Sequence, residues 1–287
     1  MPINDFCVFI LTHGRPDNVI TYNTLRKQGY TGKIYIIIDN EDKTSKKYYE
    51  NFGDQVIMFD KGEIAKTFDE GDNFDDRRTI TYARNACFDI AKQLKIHYFM
   101  QLDDDYNIFS YKFDHNYKFI DKKIHGLDRI FFSFLEFYKN IPALSIAMAQ
   151  KGDFLGGAEN GIEMSLGRRR KCMNSFICSV NRSFKFKGRF NEDVNTYTEE
   201  GKRGALFLTI PLIALNQAAS QSNSGGITEL YKKFGTYVKS FMTIIYSPSC
   251  TKVRMMRSNH PRLHHQITWK NAVPVIIQEK YKKVVNL

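Results

Sequence analysis

The sequence predicts an α/β protein whose sheet is mainly parallel and is flanked by helices. Apolar runs of strand length alternate with stretches of helical spacing in the first half of the chain, and such alternation produces parallel strands joined by crossover helices. Three of these runs end in polar clusters, at residues 12–15, 39–42 and 103–105. Ligands of open α/β sheets bind at the carboxyl ends of the strands, so these clusters are the predicted site.

The strands predicted in the first half are apolar runs rich in β-branched and aromatic residues. They cover residues 6–12, 34–38, 56–59 and 97–102. Gly14 and Pro16 break the first of them sharply. Asp17 is placed to cap a helix that continues to Leu25, and residues 81–94 have the apolar spacing of a second helix. The polar, acid-rich stretch between residues 60 and 78 is predicted as a loop.

The second half of the chain is less regular. Helices are expected over residues 127–139 and 227–233, and strands over residues 144–150 and 241–246. A further apolar segment covers residues 205–215.

The basic charge of the chain is confined to its second half. The net charge is +11, of which residues 1–110 carry −4 and residues 111–287 carry +15. This surplus favours a polyanionic partner such as nucleic acid, whereas the alternative is a solvated basic surface without such a partner. The candidate contacts to phosphates lie at residues 168–171, 182–189 and 252–262.

Five scattered cysteines indicate a reducing, cytoplasmic compartment with buried thiols. A zinc site that uses the close pair Cys172 and Cys178 is the alternative. No apolar run approaches the ~18 residues of a membrane span, and we recognise no secretory signal.

Asp103, Asp104 and Asp105 follow directly after a buried strand, where their mutual repulsion needs an explanation. A hard divalent cation would offset it, because Mg²⁺ and Mn²⁺ prefer carboxylate oxygens and also bind substrate phosphates. Alternation along an extended chain places Asp103 and Asp105 on one side and Asp104 on the other. The pair can therefore hold a metal that bridges a diphosphate. The alternative is a solvated acidic turn.

A second acidic group, Asn191-Glu192-Asp193, could supply a general base for an acceptor hydroxyl, although a plain helix N-terminus would have the same composition. Three late histidines lie within six positions, and one of them could complete a metal shell. They are His260, His264 and His265.

Three arginines lie in and just after the long acidic loop. Arg77, Arg78 and Arg84 could neutralise a diphosphate and the charge that develops on a leaving group. Arg77 and Arg78 could equally pair with the neighbouring Asp75 and Asp76.

The order of these motifs resembles that of GT-A nucleotide-sugar glycosyltransferases, which have a Rossmann-like sheet. The resemblance extends from about residue 6 to residue 265. Its motifs are Thr12-His13-Gly14-Arg15, Asp39, Ala83-Arg84-Asn85, Asp103-Asp104-Asp105, Glu192-Asp193 and one late histidine.

The resemblance implies a role for each of these residues. The nucleotide sugar would be bound by Thr12, Gly14, Arg15, Asp39, Arg77, Arg84, Asp103 and Asp104. Asp103 and Asp105 would ligate Mn²⁺ or Mg²⁺ together with His264, which is preferred for its spacing from Asp193. Asp193, beside Glu192, would be the base of an inverting displacement; in a retaining enzyme it would bind the acceptor instead.

A narrower resemblance is to the glycosyltransferases associated with TET- and base-J-type oxygenases in phages and kinetoplastids, which glycosylate hydroxymethylated pyrimidines in DNA. The compact chain, the acidic triplet and the basic second half support it. It implies transfer of a hexose, glucose or N-acetylglucosamine, from a UDP-sugar to such a base, in the host cytoplasm if the source is viral.

On this interpretation one domain covers residues 1–287, with a nucleotide-sugar half (1–110) and an acceptor half (111–287). No membrane and no protein partner is inferred. Three alternatives remain: transfer to a protein, lipid or glycan, a nucleotidyltransferase, and a nucleic-acid-binding module without enzymatic activity.

Overall fold

A large mixed sheet passes through both halves of the chain. The structure, a computed structural model, describes residues 5–154, 171–217, 227–235, 237–256 and 261–281. Its strands are β1 (Phe6–Leu11), β2 (Lys33–Asp39), β3 (Val56–Phe59), β4 (Tyr98–Asp103), β5 (Tyr106–Phe113), β6 (Phe119–Lys123), β7 (Ala143–Gln150), β8 (Ser175–Ser179), β9 (Leu206–Gln217), β10 (Thr251–Met256) and β11 (Arg262–Ile267). Nine of them form one sheet in the order β3-β2-β1-β4-β8-β7-β9-β5-β6, and β10 and β11 form an antiparallel ribbon.

The first four strands are parallel and carry the predicted site at their carboxyl ends. β1 lies between β2 and β4, and Leu11 pairs with Asp103. All six residues of β1 are buried, because both faces of the sheet are covered by helices. The register therefore brings Thr12 beside Asp104, which follow directly after these paired ends.

The other half of the sheet mixes directions. β8 runs antiparallel to β4 and β7, β5 runs antiparallel to β6 and β9, and β7 and β9 are parallel. The predicted α/β fold is thus confirmed, with parallel pairing in the first half of the sheet and mixed pairing in the second.

Helices cover both faces of the sheet. They are α1 (Ile20–Lys27), α2 (Ser45–Phe52), α3 (Lys61–Ala65), α4 (Thr81–Gln93), α5 (Leu127–Lys139), α6 (Glu192–Lys202), α7 (Ile227–Phe234), α8 (Val238–Tyr246) and α9 (Trp269–Ala272). Even-numbered residues of β1 such as Val8 pack in one core with α1, α2 and α5. Odd-numbered ones such as Phe9 pack in a second core with α4 and α6. This is the alternation that a strand buried on both faces requires.

Several predicted elements differ from the structure. α1 begins at Ile20, and Asp17 does not cap it, because its carboxylate pairs with Lys47 instead. The loop predicted over residues 60–78 begins with α3. The segment 241–246 was predicted as a strand and is the end of helix α8, which buries one stripe of residues, including Met242 and Thr243.

No helix within the described ranges is long and apolar enough to cross a membrane.

Candidate active site

A cavity of about 530 Å³ opens at the carboxyl ends of β1, β2 and β4. Its size is typical of small-molecule sites. The predicted residues that line it are Thr12, Arg15, Asp39, Arg78, Arg84, Asp103, Asp104, Asp105, Asn191, Glu192 and Asp193. Residues more than 170 positions apart therefore meet in one place.

The acidic triplet forms a tight connection between β4 and β5. β4 ends at Asp103, and Asp104 and Asp105 make the turn, so the extended alternation expected from the sequence stops at Asp103. The buried Thr21 of α1 holds this turn. Its hydroxyl donates to the Asp103 carbonyl at 2.6 Å and accepts from the Tyr106 amide at 2.8 Å.

Asp104 faces the end of β1. Its Oδ2 accepts a hydrogen bond from the Thr12 hydroxyl at 2.6 Å and lies 3.3 Å from Nε of Arg15. The buried Tyr48 hydroxyl lies 2.9 Å from Oγ1 of Thr12 and accepts from the Arg15 amide at 2.8 Å. Burial raises the pKa of Asp104 to about 6 in spite of these partners. The Thr12 loop and the acidic turn are thus one hydrogen-bonded unit.

Arg84 connects the acidic turn to the second acidic group. Its guanidinium donates from Nη2 to Asp103 and from Nε to Glu192, each at 3.0 Å. The side chain is 1% exposed and lies against the rings of Phe176 and Phe186. A buried cation with two carboxylate partners fixes the relative position of α4, β4 and α6.

Asp105 has the chemistry of a cation ligand. Its Oδ1 is buried without a hydrogen-bond partner. Burial and the charges of Asp103 and Asp104 raise its pKa to about 7. A divalent cation would relieve this repulsion, so the carboxylates fit such an ion. Among the described residues, however, no three His, Cys, Asp or Glu side chains are grouped closely enough to hold a metal without further ligands.

Glu192 and Asp193 begin helix α6. Asn191 precedes them in a left-handed conformation, with φ +54°, and its side-chain amide donates to the Lys239 carbonyl at 2.8 Å. The Val194 amide donates to Oδ1 of Asp193 at 2.7 Å. Burial and the charge of Glu192 raise the pKa of Asp193 to about 7, a value that suits proton transfer near neutral pH.

Asp39 is held by two partners in a way that the sequence did not indicate. Its carboxylate lies 2.8 Å from Nδ1 of His13 and 3.1 Å from Nζ of the buried Lys61. Burial raises the pKa of Asp39, but the His13 hydrogen bond and the Lys61 charge outweigh that effect and lower it. The neighbouring Gly14 donates its amide to Asp42 at 2.7 Å.

Three predicted residues lie outside the cavity lining. Gly14 is next to it, Arg77 pairs with Glu41, and His264 lies on β11 with an unpartnered, buried Nδ1. Burial and the charges of Lys239 and Arg262 lower the pKa of His264. His265 is nearer the acidic group, with Nδ1 3.1 Å from Nδ2 of Asn191. His260 is outside the described residues.

Of the far wall of the cavity, the sequence indicated only Arg262, as part of the candidate phosphate contacts at residues 252–262. That wall includes Tyr231 of α7, Lys239 of α8 and Arg262 of β11. Lys239 lies 5.4 Å from the centre of the Tyr231 ring. The repeated basic residues after position 230 were the available signal, but no motif set these three apart.

The carboxylate-lined cavity lies at the carboxyl ends of parallel strands, which is where α/β enzymes bind their small-molecule ligands. The family model described as TET-Associated Glycosyltransferase matches residues 6–226. The chain belongs to this family and is a glycosyltransferase, as the sequence predicted. No curated protein matches it.

Solved structures with a similar fold include glucosyl-3-phosphoglycerate synthase of Mycobacterium tuberculosis. A complex with Mg²⁺ and UDP is 9% identical and has a TM-score of 0.46, with 91% of this chain and 87% of that chain covered. A complex with Mn²⁺, UDP and glucosyl-3-phosphoglycerate has 9% identity, the same coverage and a TM-score of 0.48.

Proposed function

We propose that this glycosyltransferase is metal-dependent and moves a hexose, glucose or N-acetylglucosamine, from a UDP-sugar to a hydroxymethylated pyrimidine in DNA. The observation that carries the proposal is the meeting of the acidic turn and Asp193 in one cavity, joined through Arg84. The donor diphosphate would bind beside the acidic turn, and the acceptor hydroxyl would bind beside Asp193. The chain belongs to the TET-associated glycosyltransferases, and the name of this family supports an acceptor in DNA.

The donor end would be formed by Thr12, Arg15, Asp39, Asp103 and Asp104, with Gly14 and Arg77 beside it. Arg15 is about a third exposed at the cavity and can turn toward a phosphate. Arg84 is buried between its two carboxylates, so it would act by positioning them and not by contacting the diphosphate. The Mycobacterium tuberculosis synthase complexes contain UDP or UDP-glucose with Mg²⁺ or Mn²⁺, as this assignment requires.

Asp103 and Asp105 would hold the divalent cation, and phosphate oxygens of the donor would complete its shell. The bound cation would stabilise charge on the departing UDP as a Lewis acid. His264 remains a predicted ligand, although it lies on β11 outside the lining of the cavity.

Asp193 would accept the proton of the acceptor hydroxyl while the sugar is transferred. Its pKa near 7 lets it be ionised at neutral pH and still be basic enough for this step. Glu192 is held by Arg84 and would set the orientation of this end of α6.

The reaction would take place in one domain and in a reducing, cytoplasmic compartment. Both halves of the chain line the cavity. The first would be the donor half and the second the acceptor half. All five cysteines are buried free thiols, which suits that compartment.

The test is a UDP-release assay with Mn²⁺ that crosses UDP-glucose and UDP-N-acetylglucosamine with plain and hydroxymethylated DNA. We expect turnover only on hydroxymethylated DNA, and a ~10²–10⁴-fold lower kcat for Asp193→Asn because the base is lost. Turnover on a glycan but on no DNA would overturn the acceptor. Release of pyrophosphate from a nucleoside triphosphate would instead indicate a nucleotidyltransferase.

A further inference from the structure

The β10–β11 ribbon has a cationic face. Lys252 and Arg254 alternate along β10, and the register places Arg262 opposite Met256 on the next position of the same face. All three cations are exposed. Alternate residues on a strand are roughly 6.6 Å apart, so the charges form a row along the ribbon.

No counter-charge for this row occurs within the described ranges of the chain. Among the residues that the structure describes, Lys252, Arg254 and Arg262 have no carboxylate within ion-pair distance. Many other exposed cations do have one, as Lys47 has in Asp17. Bare cations in a row are a site for a polyanion, since phosphates can replace the missing carboxylates.

The other basic stretch predicted to bind phosphates has a different role. Arg182 donates to the carbonyls of Tyr138, Ile141 and Ala143, at 2.8–3.1 Å. Arg189 is 1% exposed and is paired with Asp72. Both arginines therefore stabilise the fold. The third stretch, 168–171, lies outside the described residues except for Lys171, which pairs with Asp153.

The cationic face leads into the cavity. Arg262 belongs both to the row and to the cavity lining, where it is joined by Lys239. Burial and the charge of Arg262 lower the pKa of Lys239. A polyanion along the ribbon would thus approach the wall opposite the acidic turn.

We infer that the cationic face of the β10–β11 ribbon is the docking surface for the phosphate backbone of duplex DNA. Lys252 and Arg254 bind backbone phosphates outside the cavity, and Arg262 binds a phosphate at its mouth, so that a neighbouring base is presented to Asp193. This inference rests on the proposed DNA acceptor. Like other backbone contacts, these fix the position of the duplex and do not read its sequence.

The test compares two double variants of the full chain in binding to plain duplex DNA by fluorescence anisotropy over a series of salt concentrations. Lys252→Ala with Arg254→Ala leaves the cavity lining intact. The control, Lys122→Ala with Lys123→Ala, removes the same charge from exposed positions of the edge strand β6. We expect the ribbon variant to bind more weakly, with a slope of log K against log salt shallower by roughly 1.8, for two lost phosphate contacts.

Equal affinity and slope for the two variants would overturn the docking surface. Circular dichroism shows whether both variants are folded. If the surface is correct, the charge-preserving variant Lys252→Arg with Arg254→Lys must bind DNA as the unmodified chain does. The proposed function is judged separately, by sugar transfer in the unmodified chain. If the chain binds duplex DNA through the ribbon but transfers sugar only to a glycan, the docking surface is supported and the proposed DNA acceptor is refuted.

Discussion

Arg84 determines how the two acidic groups of the site are placed. Its guanidinium is buried and shared between Asp103 and Glu192, and no other described cation bridges these carboxylates. Removing one partner of a buried ion pair leaves an uncompensated charge, which costs more than a lost surface contact. The residue therefore stabilises the fold and positions the two carboxylates of the proposed site.

We expect Arg84→Met to lower the free energy of unfolding by about 3–5 kcal/mol, because two partly buried carboxylates lose the buried cation that they share. Urea denaturation followed by circular dichroism measures this change. The matched control is Lys92→Met on the same helix, whose pair with Asp89 is exposed, and it should cost less than about 0.5 kcal/mol. Equal losses for the two variants would contradict the bridging role.

The carboxyl group of Asp105 makes the folded protein less stable as the pH rises. Its folded-state pKa is raised to about 7, so the folded protein binds a proton that the unfolded chain has already released. The stability that this proton supplies is complete below pH 4 and is lost as the pH rises through 7. Without a divalent cation, we expect Asp105→Asn to raise the melting temperature at pH 8 and to change it little at pH 4.

Mn²⁺ should relieve the repulsion between Asp105 and its neighbours Asp103 and Asp104. We expect it to raise the melting temperature of the unmodified chain more at pH 8 than at pH 5, and to lose most of this effect in Asp105→Asn. An equal Mn²⁺ effect in the variant would show that the ion binds elsewhere.

At the scale of elements, helix α1 supports the acidic turn. The Thr21 amide donates to the Asp104 carbonyl at 3.0 Å, and the Thr21 hydroxyl joins Asp103 to Tyr106 on the two sides of the turn. The first turn of one helix therefore orients three carboxylates that it does not contain.

We expect Thr21→Val to destabilise the protein by roughly 1–3 kcal/mol, because it leaves a buried amide and a carbonyl without partners. Thr21→Ser keeps the hydroxyl and loses one methyl group, at about 0.8 kcal/mol. Chemical denaturation should rank the variants in this order, and kcat should fall more for Val. A larger loss for Ser would mean that packing, not hydrogen bonding, sets the position of the turn.

The elements differ in how well the sequence predicted them. β1 and β2 were predictable because strands buried on both faces are unbroken apolar runs. α8 was not, since Phe241, Ile244 and Ile245 have side chains typical of strands, and packing on α6 and the ribbon decides in favour of a helix. β5 and β6 lack a long apolar run, so the sequence did not predict these strands or the pairing of β5 with the distant β9.

The same contrast holds for the site. The acidic turn and Asp193 follow recognisable patterns, and the structure brings them together. Lys61, Tyr231 and Lys239 belong to the site only because distant segments fold onto it, and no local spacing indicates such long-range contacts.

At the scale of the whole molecule, the last part of the chain is attached to the rest through α6. The ring of Trp269 on α9 stacks on Tyr197, with centroids 5.7 Å apart and planes at 16°. The Ala272 carbonyl approaches α6 so closely that a Cβ on Gly201 would lie 2.5 Å from it. The wall that carries Arg262 is therefore positioned from α6, the helix that has Asp193 in its first turn.

This stacking gives the protein a built-in optical reporter, since Trp269 is its single tryptophan. We expect its fluorescence and the far-ultraviolet circular dichroism to change at the same urea concentration, because undocking the last segment would also expose the core around α6. A fluorescence change at lower urea would show that the segment detaches first. Emission from one indole can thus be followed while DNA or a nucleotide sugar binds, without any added label.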